Sequence, residues 1–399
     1  MSIRNGLPSL LLALAGAWAG SEGHATDLIA QPALAVIRVG PHQSITTVAE
    51  AARVASDGAV VEIEAGVFAD DVATWRQSDL TIRAVGGRAR MITRGASAEG
   101  KAIWVILGNR VLIENIEFSG AQVPDRNGAG IRHEGGKLTV RNCLFERNEM
   151  GLLTWNHPAA ELVVEASEFR DNAVAGNHRP GDPIGHQLYV GSIARFEMRD
   201  SYIHRGSIGH LVKSRARENY VANNRIVDEK TGRSSYELEF PNGGITYVIG
   251  NILQQSAQTQ NSQIISFGAE GYRWPQNEIY LVNNTLVDDL PRGGEFLRVY
   301  PGADRVLVYN NLLLGNVSFK QNPLWESAAN FVARPSDVMS AATGDFRLRA
   351  SSALVRKAVE PGAANGVSMR LEWENDHPLH SRPVPAGGLS PGALQSIAP

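Results

Sequence analysis

VANNRI at 221–226 and VYNNLL at 308–313 are two copies of one short segment: an apolar pair, a turn-forming residue, a polar residue, then a second run toward an apolar residue. The same frame recurs as IENIEF at 113–118, VRNCLF at 140–145, VEASEF at 164–169, MRDSYI at 198–203, VIGNIL at 248–253 and LVNNTL at 281–286. The third position is Asn115, Asn142, Ala166, Asp200, Asn223, Gly250, Asn283 and Asn310, in steps of 27, 24, 34, 23, 27, 33 and 27 residues. Asparagine, aspartate and glycine tolerate left-handed backbone and stack side-chain hydrogen bonds, so they suit one sharp turn repeated at the same corner of every coil. No helical period connects one unit to the next. The frame therefore predicts an all-β solenoid of short parallel strands, with the variable lengths placed in loops.

A propeller would use longer and more even units, and a sandwich would not keep one asparagine column. Over roughly residues 40–350 the pattern resembles the right-handed parallel β-helix of pectate-lyase-like proteins. That resemblance implies an architecture and not an activity. ITTVAEAARVA at 45–55 carries apolar residues at helical spacing and precedes a turn and an alternating strand, so it reads as a helix capping the first coil. GDFRLRASSALV at 344–355 reads as a closing coil, and the proline- and glycine-rich stretch 372–399 as a wrapped tail. The expected organisation is a signal peptide at 1–19, a capped β-helix domain at 20–371 and the tail.

The signal peptide is read from Arg4, the apolar run Leu10 to Ala17, and the small-x-small pattern Ala17-Trp18-Ala19, and it predicts a secreted or periplasmic protein. No later stretch reaches the roughly 18 apolar residues of a membrane span. A net charge of −3 with no basic stripe argues against nucleic acid as a partner. Cys143 is the single cysteine, which excludes an intrachain disulfide and a CxxC metal site, and it reads as a small core residue.

GHQLYVG at 185–191 and GHLVKS at 209–214 are one strand in successive coils, continued by SYELEF at 235–240, QIISF at 263–267 and EFLRVY at 295–300. With Leu188, Val212, Leu238, Ile265 and Leu297 pointing inward, strand alternation sends Tyr189, Lys213, Glu239, Ser266 and Arg298 outward, about 4.8 Å apart per coil. Arg215 and Glu237, two residues along, are expected to join Lys213, Tyr189 and Glu239 on an exposed patch about 10–15 Å across, with His186 and His210 at its edge as further catalytic candidates, each able to orient a neighbour or accept a proton. The long steps place loops beside this patch, making a groove suited to an extended acidic polysaccharide.

β-Elimination from a uronate needs a base for the C5 proton, a cation for the carboxylate and an acid for the leaving oxygen. Two assignments stand open. In one, Lys213 is the base, Arg215 the carboxylate clamp and Tyr189 the acid; in the other, Tyr189 is the base and Lys213 is electrostatic. Val212-Lys213-Ser214, followed by Glu218-Asn219-Tyr220 and Asn224, resembles the catalytic strand and turn of the alginate lyase and chondroitinase B family of β-helix lyases. The resemblance implies Lys213 as base and raises Ca²⁺ as a cofactor. The family's calcium-holding glutamates are not matched: Ser207-Ile208-Gly209-His210 precede the lysine, and Glu239 stands where the family has a catalytic arginine. No other cofactor is indicated. Two readings compete with the lyase. One is a glycoside hydrolase using Glu237 and Glu239, which as i and i+2 on a strand would lie about 6.6–7 Å apart at Cα. The other is a glycan-binding adhesin in which the column, with Glu237, Glu239 and Arg298, only docks substrate. Trp155, Tyr272 and Trp274 are candidates for sugar stacking in any of these.

Overall fold

In a computed structural model, which describes residues 35–176, 184–316 and 322–395, the chain is a parallel β-helix with three strands to each full coil. The expected signal peptide lies outside the described residues. One coil runs Arg195–Arg199, a sharp corner, Tyr202–His204, a longer turn, Val212–Ser214, and then Glu218–Ala222 of the next coil. Stacking these makes three parallel sheets. Arg195–Arg199 pairs residue by residue with Glu218–Ala222 in the first sheet, Tyr202–His204 with Arg225–Val227 in the second, and Val212–Ser214 with Leu238–Phe240 in the third.

All eight corner positions have positive φ, from 45° at Ala166 to 68° at Gly250. Ala166 adopts this left-handed backbone without a glycine's freedom, so the corner is imposed by the coils on either side of it. The residue after the corner carries the structure inward. Asn224, Asn251, Asn284 and Asn311 are buried, and each side-chain oxygen accepts from the backbone N–H of the equivalent residue one coil earlier: Asn224 N–H to Asn251 at 3.0 Å, Asn251 to Asn284 at 2.9 Å, Asn284 to Asn311 at 2.9 Å. Their amide nitrogens donate along the same line, Asn224 to Asn251 at 2.9 Å and Asn251 to Asn284 at 3.1 Å. In the earlier coils the ladder runs through hydroxyls, with Ser201 Oγ accepting from Ser167 N–H and Ser167 Oγ from Cys143 N–H. Sequence inspection singled out the corner column; the continuous buried ladder stands one residue later. Cys143 occupies a rung of it and is fully buried, which pushes its thiol up to about 12.

The interior is filled by files of like residues. Phe118, Phe145 and Phe169 stack with ring centroids 5.2 and 4.5 Å apart, continued by Trp104 edge-on at 4.9 Å. Leu188, Val212, Leu238, Ile265 and Leu297 all belong to this core. Gly185 and Gly209 are demanded by close approach at the entry to the third sheet, where a Cβ on Gly209 would lie 1.5 Å from the Gly185 carbonyl oxygen.

The capping helix spans Val48–Val54, with Thr47 as N-cap accepting from Glu50 N–H and with Val48, Ala51 and Ala52 buried against the first coil. The expected closing coil is different. Asp345–Leu348 pairs antiparallel with Val338–Ser340 and packs Val338, Phe346 and Leu348 on the outer face of the second sheet, against Ile252, Val287 and Leu312. That face is apolar in the later coils, so covering it outweighs extending the stack. The segment from 372 does wrap back along the corners: Asn375 Nδ2 donates to Asn223 O at 3.0 Å, and Gly392 N–H to Asn310 O at 2.8 Å.

Replacing Asn251 with alanine removes the acceptor for Asn224 N–H and leaves buried polar groups unpaired, at about 1–3 kcal/mol each. Urea unfolding should show a loss of about 2 kcal/mol or more, against less than about 0.5 kcal/mol for the exposed control Arg292→Ala.

Candidate active site

The third sheet carries the outward file in the expected register. Tyr189 pairs with Lys213, Lys213 with Glu239, Glu239 with Ser266 and Ser266 with Arg298, while Leu153 and Arg132 continue the file into earlier coils. The patch is not open to solvent as expected. Lys213 is 8 % exposed and Glu239 4 %, because the turn after Gln263–Phe267 folds over them and contributes a carboxylate that sequence inspection did not single out, Glu270.

Lys213 Nζ lies 2.8 Å from Glu239 Oε2 and donates to Glu270 Oε1 at 2.9 Å. Arg215 holds both Glu270 oxygens through Nη2, at 2.8 and 2.7 Å. Its Nη1 donates to the Tyr189 hydroxyl oxygen, and its guanidinium lies over the Tyr189 ring, 5.1 Å from the centroid. Two cations and two carboxylates thus balance in a site that is largely dry, with Tyr189 and Arg215 at its half-buried margin. Lys213 and Arg215 pull the Glu270 carboxyl below its usual range, overcoming the opposing effect of its partial burial.

The two histidines form the floor. Their rings stack at 4.9 Å, and His186 Nδ1 accepts from His210 N–H at 2.9 Å, which puts the proton of a neutral His186 on Nε2. His210 Nε2 lies 3.2 Å from Glu239 Oε2. Burial, with Lys213 and Arg215 adding to it, drops His186 to about 3. Burial also holds His210 well below its ordinary value, reinforced by His186 and the same two cations. Both shifts favour the neutral imidazole.

Two expectations are corrected. Glu237 does not share the face of Glu239: it is fully buried and turned into the coil. Alternation holds only within a strand, and Leu238–Phe240 is three residues long, so Glu237 belongs to the preceding bend, level with buried Leu211 and Gln187 of earlier coils. The i, i+2 carboxylate pair therefore does not exist as a surface pair. Arg298 lies in the file, two coils past Glu239, but turns to Glu295 at 3.4 Å and takes no part in the cluster. Tyr272 and Trp274, both half-buried, are fastened to the backbone: the Tyr272 hydroxyl donates to Tyr300 O and Trp274 Nε1 to Arg215 O at 3.1 Å. Trp155 remains an exposed aromatic on the same sheet, with Arg132 over its ring at 5.2 Å.

The motif residues around Lys213 divide by role. Val212 is core, the Ser214 hydroxyl donates to the Asn219 side-chain oxygen across the turn, and Asn224 is a rung of the ladder. Lys213 alone among these five points into the site. The donor set does not fit calcium: Ile208 and Gly209 offer no side-chain oxygen, and no group of three or more His, Cys, Asp or Glu side chains is spaced to hold a metal among the described residues.

A cavity of about 830 Å³ lies elsewhere, between the outer face of the second sheet and the C-terminal segment. Its charges are mutually engaged, Arg347 with Asp345 at 2.6 Å and Tyr202 with Glu229, and Arg225 Nη2 donates to Gly344 O. It is the seam beneath the covering hairpin, whereas the third-sheet cluster sets cations and carboxylates under the overhanging turn, with the Tyr189 phenol and Arg215 at its half-buried margin.

A solenoid of parallel coils with a charged cluster on one sheet defines a right-handed parallel β-helix protein. The chain belongs to the right-handed β-helix family, whose profile, described as "Right handed beta helix region", matches residues 65–313. Among solved structures, pectate lyase Pel9A is similar at a TM-score of 0.56 and 13 % identity, over 91 % of this chain and 97 % of its own, a likeness of fold. Geobacillus virus E2 ORF18 is similar over 68 % of this chain and 52 % of its own, at 13 % identity and a TM-score of 0.39. No curated protein sequence matches the chain.

Under the third sheet lies a second group of acids. Glu237, Asp228 and Asp288 are buried, and each keeps one oxygen without a hydrogen-bond partner. Burial raises all three, and the charge of Asp228 pushes Glu237 further up. The folded chain therefore holds protons that the unfolded chain releases above about pH 4. Unfolding releases them, so the stability these three groups contribute is fullest below that range and falls as pH rises toward and past neutrality. Glu237→Gln keeps the acceptor for the Ser234 hydroxyl and removes the charge. Urea midpoints at pH 5 and pH 8 should differ less in this variant than in the wild type, with the variant more stable at pH 8; an unchanged difference would show that Glu237 does not bear the protons.

Proposed function

We propose that this protein is a polysaccharide lyase that cleaves an acidic, uronate-containing chain by β-elimination, exported as residues 1–19 suggest. The observation that carries the reading is the arrangement of Arg215, joined to the Tyr189 hydroxyl on one side and, together with Lys213, to a carboxylate on the other. A uronate carboxylate held by the same two cations has its charge balanced where negative charge grows as the C5 proton leaves, and preorganised cations in a dry site act strongly there.

Of the two proton-transfer assignments, the geometry favours Tyr189. Lys213 is engaged by Glu239 and Glu270 and acts as a fixed ammonium. The Tyr189 oxygen receives a hydrogen bond from Arg215, which stabilises negative charge on that oxygen, and it stands at the margin where a sugar ring can reach it. Elimination then breaks C5–H and C4–O and forms the C4=C5 bond: Tyr189, as its phenolate, takes the C5 proton, Lys213 and Arg215 hold the carboxylate, and the departing O4 takes that proton back from the Tyr189 hydroxyl. Trp155 extends the groove along the sheet as an aromatic platform. The hydrolase reading loses its carboxylate pair with the burial of Glu237.

Incubation with a panel of uronate polymers, followed by the absorbance of the unsaturated product, tests the reaction. Tyr189→Phe should lower kcat by a factor of about 10²–10⁴ with KM little changed. Arg215→Ala should raise KM and lower kcat together, because a carboxylate clamp acts in ground and transition states. An active Tyr189→Phe enzyme beside an inactive Lys213→Ala enzyme would move the proton transfer to Lys213. Polymer binding without product from any member of the panel would leave a glycan-binding solenoid.

A further inference from the structure

We infer that Glu270 is a built-in stand-in for the substrate carboxylate: it occupies the anion subsite of Lys213 and Arg215 in the unliganded protein, and a uronate enters by displacing it. This rests on the lyase reading for the identity of the ligand, but the subsite itself is read from geometry. Glu270 makes the contacts that a bound uronate would make, both oxygens on Arg215 and one shared with Lys213.

The two carboxylates on this cation pair differ in their freedom. Glu239 has a side chain only 6 % exposed, set in a strand between Lys213 and His210, and is part of the floor. The Glu270 side chain is 43 % exposed and reaches in from a turn. The backbone of that turn is fastened, with Glu270 N–H donating to Pro241 O at 2.9 Å, Arg273 N–H to Asn242 O at 3.0 Å and Asn242 Nδ2 to Gly271 O at 3.1 Å. Displacement is therefore a rotation of one side chain into solvent, with no loop opening.

The arrangement also filters ligands. Expelling Glu270 leaves the largely desolvated Arg215 without a carboxylate and Lys213 with Glu239 alone, and only another anion restores the lost charge pairing. A neutral sugar offers hydroxyls in place of charge and loses the competition, whereas a uronate exchanges one carboxylate for another. Glu270 thus sets selectivity for acidic residues by penalising every neutral occupant.

Glu270→Ala removes the stand-in. Its thermal midpoint should fall below the wild-type value and should be raised saturably by sodium acetate, but not by sodium chloride at equal ionic strength; the wild type should show no such acetate effect. By calorimetry, trimers of galacturonate, mannuronate and glucuronate provide the second readout, with maltotriose as neutral control. At least one uronate trimer should bind Glu270→Ala ten-fold or more tightly than wild type, and Glu270→Gln, which keeps the side-chain size, should move in the same direction. No acetate effect beyond chloride, or uronate binding unchanged or weakened in both variants, would overturn the inference. Acetate rescue and tighter uronate binding without product from any polymer would sink the lyase reading and leave this one standing. Cleavage by wild type with kcat lost and binding not tightened in Glu270→Ala would do the reverse.

Discussion

A residue held in left-handed backbone, followed by a buried side chain that accepts the N–H of the coil before it, is the interaction on which the rest of this protein depends. Each corner redirects the chain, and each rung from Ser167 through Asn311 ties that corner to its neighbour. Satisfying these donors in the dry interior converts a possible cost into a register, since a slip by one residue would strand a whole file of amides. The aromatic stack and the aliphatic files then fill a space whose dimensions the ladder has already set.

Fixed corners leave the outward side chains free to differ from coil to coil. The third sheet uses that freedom: successive positions of one file carry a phenol, an ammonium, a carboxylate, a hydroxyl and a guanidinium. Strand spacing brings Tyr189, Lys213 and Glu239 within reach of one ligand without any loop having to find them. The two histidines beneath are kept neutral by burial and by the cations above, so they stiffen the floor without adding charge. Charge balance comes instead from Glu239 and from Glu270 on the overhanging turn.

The unpaired acids behind the site pull the other way. Glu237 sits one residue before the strand that carries Glu239, beside Asp228, and their burial favours shared protons over ionisation. A segment that positions a functional carboxylate is thus coupled to a group whose protonation stabilises the fold, which links the stability of the site's scaffold to pH.

The repeat, the left-handed corners, the capping helix and the outward file were legible in the amino-acid sequence, because each depends on local chemistry: Asn, Asp and Gly at a turn, alternation in a strand, helical spacing at 45–55. The same reasoning failed where an element ended. Glu237 lies in a bend, where alternation no longer dictates direction, and residues 344–355 turn antiparallel because an exposed apolar face of distant strands needed a cover. Glu270 was beyond reach for a related reason. It stands 57 residues from Lys213 in the chain, inside a turn with no motif, and only the stacking of coils brings the two together. Local sequence determined which side chains point out of the helix; the tertiary path of the loops decided which of them are covered, neutralised and joined into a site.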